Sequence, residues 1–568
     1  MIQGIPSAPG LGAGPAFLLL QEEIPSTEIN RTPKSLEEEV ALFTRGQSIT
    51  AKFYQGLIEA VRSKLGDDEA EIFEGHLEMI QGDDIREGVV ELLETGKENG
   101  LSATLKFTEQ TAKEFEAMDS EYFRQRAGDF RDMGKRLAEA MHFGRISGIS
   151  QLPPNTVLLV HELTPSITAS LPVDQVAGLA TETGGPTSHA AILSRSLGIP
   201  CITGAIGCLS QVTHGELCLV NGDTGVLEIG VSQSLVDETA LLREKSKKVS
   251  EALAQWSKSA KSVMADGTPV TLGVNCSSAK DAEKGLQVGA EGSGLVRTEF
   301  IFLEFSQYPT VSEQVEKYRE ICQILAPHPV TIRLLDCGAD KPLPYSGMEP
   351  EENPFLGERG IRFLQSHPDQ LTNQIKALAQ VSAEGYSVQA MIPMVISLEE
   401  VQQVREIAQA IAPKMPVGIM VETPASVFSL ESLVKVADFV SIGTNDLVQY
   451  ILAVDRGNAR VAHLYRELDP GVLKAIDRIV HVCQETHTPL GVCGDMASRP
   501  LTALALLALG IRKLSATGTA VPQIKKLVQQ VSEDQLSHLK NELLHSSKEE
   551  PRDLLTRFLM EEISLENQ

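Results

Sequence analysis

The spacing of apolar positions changes character four times along the chain. Ile5 to Leu20 is apolar and broken by Gly and Pro, as strands are. From about Thr32 to Gly144, apolar residues recur at helical spacing with few prolines. EAEIFEGHLEMI (69–80) and DSEYFRQRAGDFRDMGKRLAEAM (119–141) are examples, and they predict a helical subdomain over 32–145. Between 146 and 230 short β-like runs return: NTVLLVHEL, QVAGLAT, IPCITGA, ELCLVNG and GVLEIG. One helix, 189–197, interrupts them, which predicts a compact α/β unit. Residues 231–262 are Lys/Glu/Ser-rich and helical in pattern, suited to a connecting helix.

The region 263–568 has the most legible architecture. Eight mostly apolar runs follow one another: TPVTLGVNC (268–276), GSGLVRTEF (292–300), PVTIRLLDCG (329–338), VQAMIPMV (388–395), VGIMVET (417–423), DFVSIGTND (438–446), PLGVCGD (489–495) and KLSATG (513–518). Helix-compatible stretches separate them. Strands buried on both faces of a parallel sheet read as continuous apolar runs, so eight strand–helix units predict a (β/α)8 barrel. The fold class expected is therefore multidomain α/β.

Composition narrows the function classes. A chain of 568 residues, 42% hydrophobic and 22% charged, is that of a globular protein with several domains. A net charge of −26 argues against a nucleic-acid binder and permits a basic partner. From Asp67 to Glu98, 12 acidic residues face only Arg86 and Lys97, which makes either a solvated face or a docking surface. The longest strongly apolar run, Leu501 to Ile511, is far short of a membrane span, and MIQGIPSAPG lacks the order of a signal peptide. Eight cysteines without a C-x-x-C pair suit reduced thiols and a cytoplasmic location.

In a (β/α)8 barrel, chemistry gathers at the carboxyl ends of the strands. The second run ends in Arg297-Thr298-Glu299, and the third carries Arg333. The fifth delivers Glu422, the sixth Asn445 and Asp446, and the seventh Cys493, while Arg359 and Arg456 follow the third and sixth. Taken singly, each has a plain structural role: arginines close rims through salt bridges, and a cysteine on an apolar strand packs a core. Together, several guanidiniums suit a substrate bearing phosphate and carboxylate. Glu422 and Asp446, at the ends of neighbouring strands, could share one Mg2+, and no His/Cys cluster points to zinc.

His189 closes TETGGPTSH and opens a helical pattern. A helix N-terminus disfavours an imidazolium and favours an anion. A neutral imidazole there can attack, and backbone N–H groups with Thr187 and Ser188 could hold a phosphoryl group afterwards. A capping or core histidine is the competing reading.

GGPTSHAAILSRSLGIP resembles the phosphohistidine signature shared by enzyme I of the bacterial phosphoenolpyruvate:sugar phosphotransferase system, pyruvate phosphate dikinase and phosphoenolpyruvate synthase. GLVRTEFIF, ENPFLGERGIR, MVETPAS and SIGTNDLVQYILAVDRGN are similar to the barrel motifs of the same group, and EIFEGHLEMI and DSEYFRQRAGDFRDMGKR to the enzyme I branch alone. The likeness spans nearly the whole chain in the same domain order.

The resemblance implies N-terminal strands (1–31) packed with a swivelling α/β phosphohistidine domain (146–230), and a helical subdomain (32–145) that docks the carrier protein HPr. A linker helix (231–262) would join these to a barrel (263–568) that binds phosphoenolpyruvate and forms a homodimer. It implies that His189 takes the phosphoryl group, that Thr168 orients its ring, and that Cys493 protonates the enolpyruvate. Arg297, Arg333, Asn445, Asp446, Arg456, Arg359 and Lys341 would bind phosphoenolpyruvate. Glu422 and Asp446 would hold Mg2+, and Asp67, Asp68, Glu71, Glu74 and His76 would meet HPr. No nucleic-acid binding or membrane insertion is expected. A dikinase would need a further ATP-binding domain, for which the helical 145 residues before the phosphohistidine region have no Gly-rich phosphate loop. A non-catalytic phosphohistidine scaffold is the other alternative. The chain departs from the family at Pro186, where an arginine is usual, and at Asp495 and Arg499 beyond Cys493.

Overall fold

Each apolar run read above as a strand contains one, and the strands fall into two compact units, Met1–Ser246 and Lys247–Gln568. The computed structural model describes all residues except 20–23, 65–66, 117–120, 147–151, 164–166, 168–170, 186–187, 189, 192–193, 195–197, 306, 339–342, 344, 350, 457, 459–460, 462–463, 546–548 and 564–568.

In the first unit, β1 (Ile2–Gln3), β2 (Ile5–Ala8), β3 (Leu11–Leu19), β4 (Thr156–Val160), β5 (Val176–Thr181), β6 (Cys201–Thr203), β7 (Leu217–Asn221) and β8 (Val226–Ile229) form one sheet. Their order is β1-β8-β7-β3-β4-β5-β6-β2. All five residues of β4 are buried because both faces of the sheet are covered. Leu158 and Val160 pack with Leu179 and Ile199, while Val157 and Leu159 pack with Ala16, Val220 and Leu227. The two edge strands, β1 and β2, are separated in sequence by Gly4 alone, so the sheet curls until its edges nearly meet. Gly4 N donates to Gly225 O at 2.8 Å, and a Cβ there would stand 2.8 Å from Thr203 O, which only glycine avoids.

The helices Leu36–Lys64, Asp67–Gln81, Asp83–Glu94, Gly100–Glu116 and Glu121–Phe143 lie in sequence between β3 and β4. Tyr54, Ile80 and Met133 belong to one apolar cluster of this block, and Phe43, Val89, Leu101 and Leu137 to another. Glu39, 1% exposed, accepts Arg31 Nη1 and Nη2 (2.6 and 2.7 Å) and the N–H groups of Lys34 and Gly100 (2.8 Å each). Burial alone would raise this carboxyl; the four donors hold it down at about 2. Two short helices, Ser26–Ile29 and Cys208–Gln211, arise where the sequence pattern suggested none. They are single turns, too brief to show a period.

The second unit is a closed parallel barrel of β9 (Thr271–Cys276), β10 (Ser293–Val296), β11 (Val330–Arg333), β12 (Val388–Ile392), β13 (Val417–Val421), β14 (Val440–Ile442), β15 (Leu490–Val492) and β16 (Lys513–Ala516). Helices between the strands are set by sequence signals: capping boxes at Thr310/Glu313 and Ser397/Glu400 start two of them. Helix Gln233–Ser259 crosses from one unit to the other, and Lys525 Nζ seats its end. That ammonium donates to Ser257 O, Ala260 O and Gly289 O at 2.9, 3.2 and 2.8 Å. All eight cysteines are buried and free. No helix among the described residues is long and apolar enough to cross a membrane.

Candidate active site

The carboxyl ends of the barrel strands bring together most of the residues picked from the sequence. Arg333 closes β11 and Glu422 follows β13. Asn445 and Asp446, expected at the end of a strand, instead sit in the first turn of helix Thr444–Leu452. The strand stops at Ile442 and the chain turns through Gly443.

Arg333 and Arg359 are 6% and 4% exposed, and both are paired internally. Arg333 Nη2 donates to Glu299 Oε1 at 2.6 Å, and its Nη1 lies 3.1 Å from Asp336 Oδ2. Arg359 Nη2 donates to Asp336 Oδ2 at 2.8 Å and to Asp446 Oδ2 at 3.2 Å. Asp336 was not singled out from the sequence; an aspartate at a strand end has no local signature of a shared partner. Arg297 and Arg456 are the accessible cations, with side chains 30% and 29% exposed. Arg456 lies 3.7 Å from Asp446 Oδ1 and over the Phe355 ring.

The buried carboxylates Glu299, Asp336, Glu422 and Asp446 outnumber the buried guanidiniums of Arg333 and Arg359 four to two. Glu422 shows the cost. Burial first, then the charges of Asp446 and Asp336, push its carboxyl well above the usual range, although Met394 N donates to Oε1 at 2.7 Å.

Below this ring lies Cys493, 1% exposed, packed with Leu295, Met391, Met420 and Phe439. Ser441 Oγ donates to its Sγ at 3.3 Å, and burial pushes the thiol up to about 11. Asn445 Oδ1 accepts Asp495 N at 2.8 Å, and Asp495 lies 4.0 Å from Arg297. The unusual Arg499 is paired with Glu467.

His189, Thr168, Pro186 and Lys341 lie outside the described residues. Beside them, Gly184 has φ 93°, and Ser188 Oγ accepts Ala191 N at 3.4 Å, capping the turn that follows. The side chains of Asp67, Asp68 and Glu71 are likewise outside the described set, and Glu74 is half-buried. His76 departs from its expected place on a docking surface. It is 3% exposed, wedged between Tyr54 and Phe73, with Nε2 3.4 Å from Asp129, because it falls on the apolar face of helix Asp67–Gln81.

The sequence matches three family profiles. These are the N-terminal region (residues 3–126), the mobile domain (152–225) and the PEP-binding domain (251–533) of PEP-utilising enzymes. It is 33% identical to the phosphoenolpyruvate-protein phosphotransferase of Haemophilus influenzae over 99% of each chain. It is 34% identical to that of Bacillus sp. (strain S) over 96% of this chain and 95% of the other. A solution structure of an Enzyme I (nEIt) protein is 33% identical over 44% of this chain and all of its own, with TM-score 0.39. With near full-length likeness to such relatives, and with the barrel and its rim as described, the chain is an enzyme that belongs to the phosphoenolpyruvate-protein phosphotransferase family.

Proposed function

We propose that the chain transfers the phosphoryl group of phosphoenolpyruvate to its own His189 and then to a histidine of the carrier HPr, releasing pyruvate. The observation that carries this reading is the rim itself. Guanidiniums, a carboxamide and paired carboxylates surround one mouth, with a protonated thiol directly beneath.

Arg297 and Arg456, the exposed cations, bind the substrate's phosphate and carboxylate, and Lys341 contributes a further positive charge to that binding. Arg333 and Arg359 lend positive potential while remaining tied to Asp336. Asn445 has committed its oxygen to Asp495 N, so its NH2 is left to donate to an anion. The residues present fit Mg2+: Glu422 and Asp446 are hard oxygen donors, the buried carboxyl groups outnumber the buried guanidiniums by two, and a divalent cation would offset the repulsion that raises Glu422. When bound there, Mg2+ supplies neutralisation of the phosphate during transfer.

The P–O bond breaks as the P–N bond to the His189 imidazole forms, with Thr168 holding the ring. Electrostatic alignment is most of what phosphoryl transfer requires. Cys493, kept as a thiol by burial, then gives its proton to C3 of the enolpyruvate, forming the methyl group of pyruvate. Strands 1–31 with 146–230 form the moving phosphohistidine domain, 32–145 docks HPr through its acidic face, and 231–262 links them to a barrel that dimerises. A cytoplasmic location goes with this role.

The test is incubation with phosphoenolpyruvate and Mg2+. Wild type should gain an acid-labile, base-stable phosphoryl group and release pyruvate, and His189→Ala should do neither. Equal labelling of the variant would overturn the reading.

A further inference from the structure

The barrel has a second opening, at the amino ends of its strands, opposite the rim. A narrow cleft of about 30 Å3 lies there, its walls including Lys513, Ser441, Phe439, Gly491, Gly273 and Gly294. The glycines explain part of the space: inward positions that would carry side chains carry none.

Three residues of this wall are in register. Ser441 on β14 pairs with Gly491 on β15, and Val492 pairs with Leu514, which places Lys513 of β16 level with Gly491. Lys513 lies across the bare glycine: a Cβ built at Gly491 would stand 3.4 Å from Lys513 Cγ and Cδ. Strand spacing puts the Lys513 and Ser441 backbones about 10 Å apart, a gap that one lysine side chain and one water span. From Ser441 the next contact is Cys493 Sγ, 3.3 Å from Oγ.

Lys513 Nζ has no hydrogen bond and no ion pair among the described residues. The single carboxylate in the wall, Glu291, is engaged by Ser262 Oγ at 2.8 Å and Leu272 N at 3.4 Å. Burial lowers the lysine's pKa, and the facing Cys493 opposes that shift. An ammonium held this way gives up a proton more readily than a free one.

We infer that Lys513 and Ser441 form a proton-return route from the amino-end cleft to Cys493. The inference rests on the proposed pyruvate-forming reaction. When the Cys493 S–H bond breaks and a C–H bond forms at C3, a thiolate is left in an apolar pocket. The Ser441 O–H, already directed at Sγ, transfers its proton to the sulfur. Its oxygen takes a proton from a cleft water or directly from Lys513 Nζ, and that water is restored by Lys513. Solvent at the cleft mouth reprotonates the resulting amine. One solvent proton enters per pyruvate, from the side opposite the substrate. Both residues are positioning residues, acting through Cys493.

The test separates carbon from hydrogen. Full-length enzyme with Mg2+, phosphoenolpyruvate and carbon-labelled pyruvate in D2O exchanges label between the two compounds. The same proton can shuttle between Cys493 and C3, so carbon exchange needs no proton from Lys513. Deuterium entry into the pyruvate methyl group does need it. In Lys513→Met the ratio of deuterium entry to carbon exchange should fall at least about tenfold, since positioned proton transfer contributes roughly 10² or more. Ser441→Ala should move the same ratio in the same direction, and Lys513→Arg, whose guanidinium keeps the charge but releases no proton, should not restore it. An unchanged ratio in both Lys513→Met and Ser441→Ala would overturn the route. No carbon exchange in wild type would instead overturn the proposed function.

Discussion

Asp336 joins two arginines that would otherwise face each other across the barrel mouth. It is 2% exposed and accepts Arg359 Nε at 3.3 Å and Nη2 at 2.8 Å, with Arg333 Nη1 at 3.1 Å. Removing one partner of a buried pair costs about 3–5 kcal/mol because the other charge stays buried. Here each arginine keeps a second carboxylate, Glu299 for Arg333 and Asp446 for Arg359. Loss of Asp336 also relieves the repulsion on Glu422. Asp336→Ala should therefore cost less than a full break, about 2–3 kcal/mol in the barrel unit, which is a fall in Tm of roughly 3–5 °C for a unit of this size. Urea and thermal unfolding of Asp336→Ala, Arg359→Met and the double variant give the cycle. The pair should couple by about 1 kcal/mol or more, as groups in one ionic network do. Additive losses, or a single-variant cost below about 0.5 kcal/mol, would refute the claim that this carboxylate organises the rim.

Two further perturbations follow from the same kind of geometry. The Glu39 carboxyl is held at about 2 against an ordinary 4.5, so it contributes about 3 kcal/mol that is complete above pH 4.5 and fades as pH falls towards 2. The stability gap between wild type and Glu39→Gln in urea should shrink by roughly 2 kcal/mol between pH 6 and pH 3, and a pH-independent gap would be inconsistent with the pairing. Glycine replacements should split by location. Gly418→Ala drives a methyl to 2.5 Å from the Phe439 ring and should destabilise the barrel by about 1–3 kcal/mol. Gly56→Ala meets nothing within 4 Å on an exposed helix face and should stabilise its unit by roughly 0.5–1 kcal/mol; the opposite order of melting temperatures would be a failure.

The barrel was readable in the sequence because burial on both faces leaves strands such as VGIMV with no polar position to blur them. The rim residues were readable for a related reason: a charged residue ending an apolar run is conspicuous. The partner structure of the rim was not. Asp336, Arg359 and Asp446 are neighbours only after 110 residues of chain have folded, and nothing local distinguishes a guanidinium held for substrate from one held by an aspartate. Strand ends were blurred too, since DFVSIGTND is apolar through the point at which Gly443 turns the chain into a helix. Lys513 escaped notice because its meaning depends on what Gly491 lacks, a relation between strands that only register reveals.

The placement of β3 also bears on how the chain is made. Its partners, β4 and β7, begin at Thr156 and Leu217, so a ribosome must add well over a hundred residues before the first long strand finds either neighbour. The five helices are synthesised in that interval, and they need nothing from the sheet's sequence to complete their own turns. A parallel pair such as β3 and β4 demands a crossover in any case, and here the crossover is an entire helical block. The block is thus an insertion within one connection of the sheet. Its surface could be rewritten without altering a single rung of the ladder beneath.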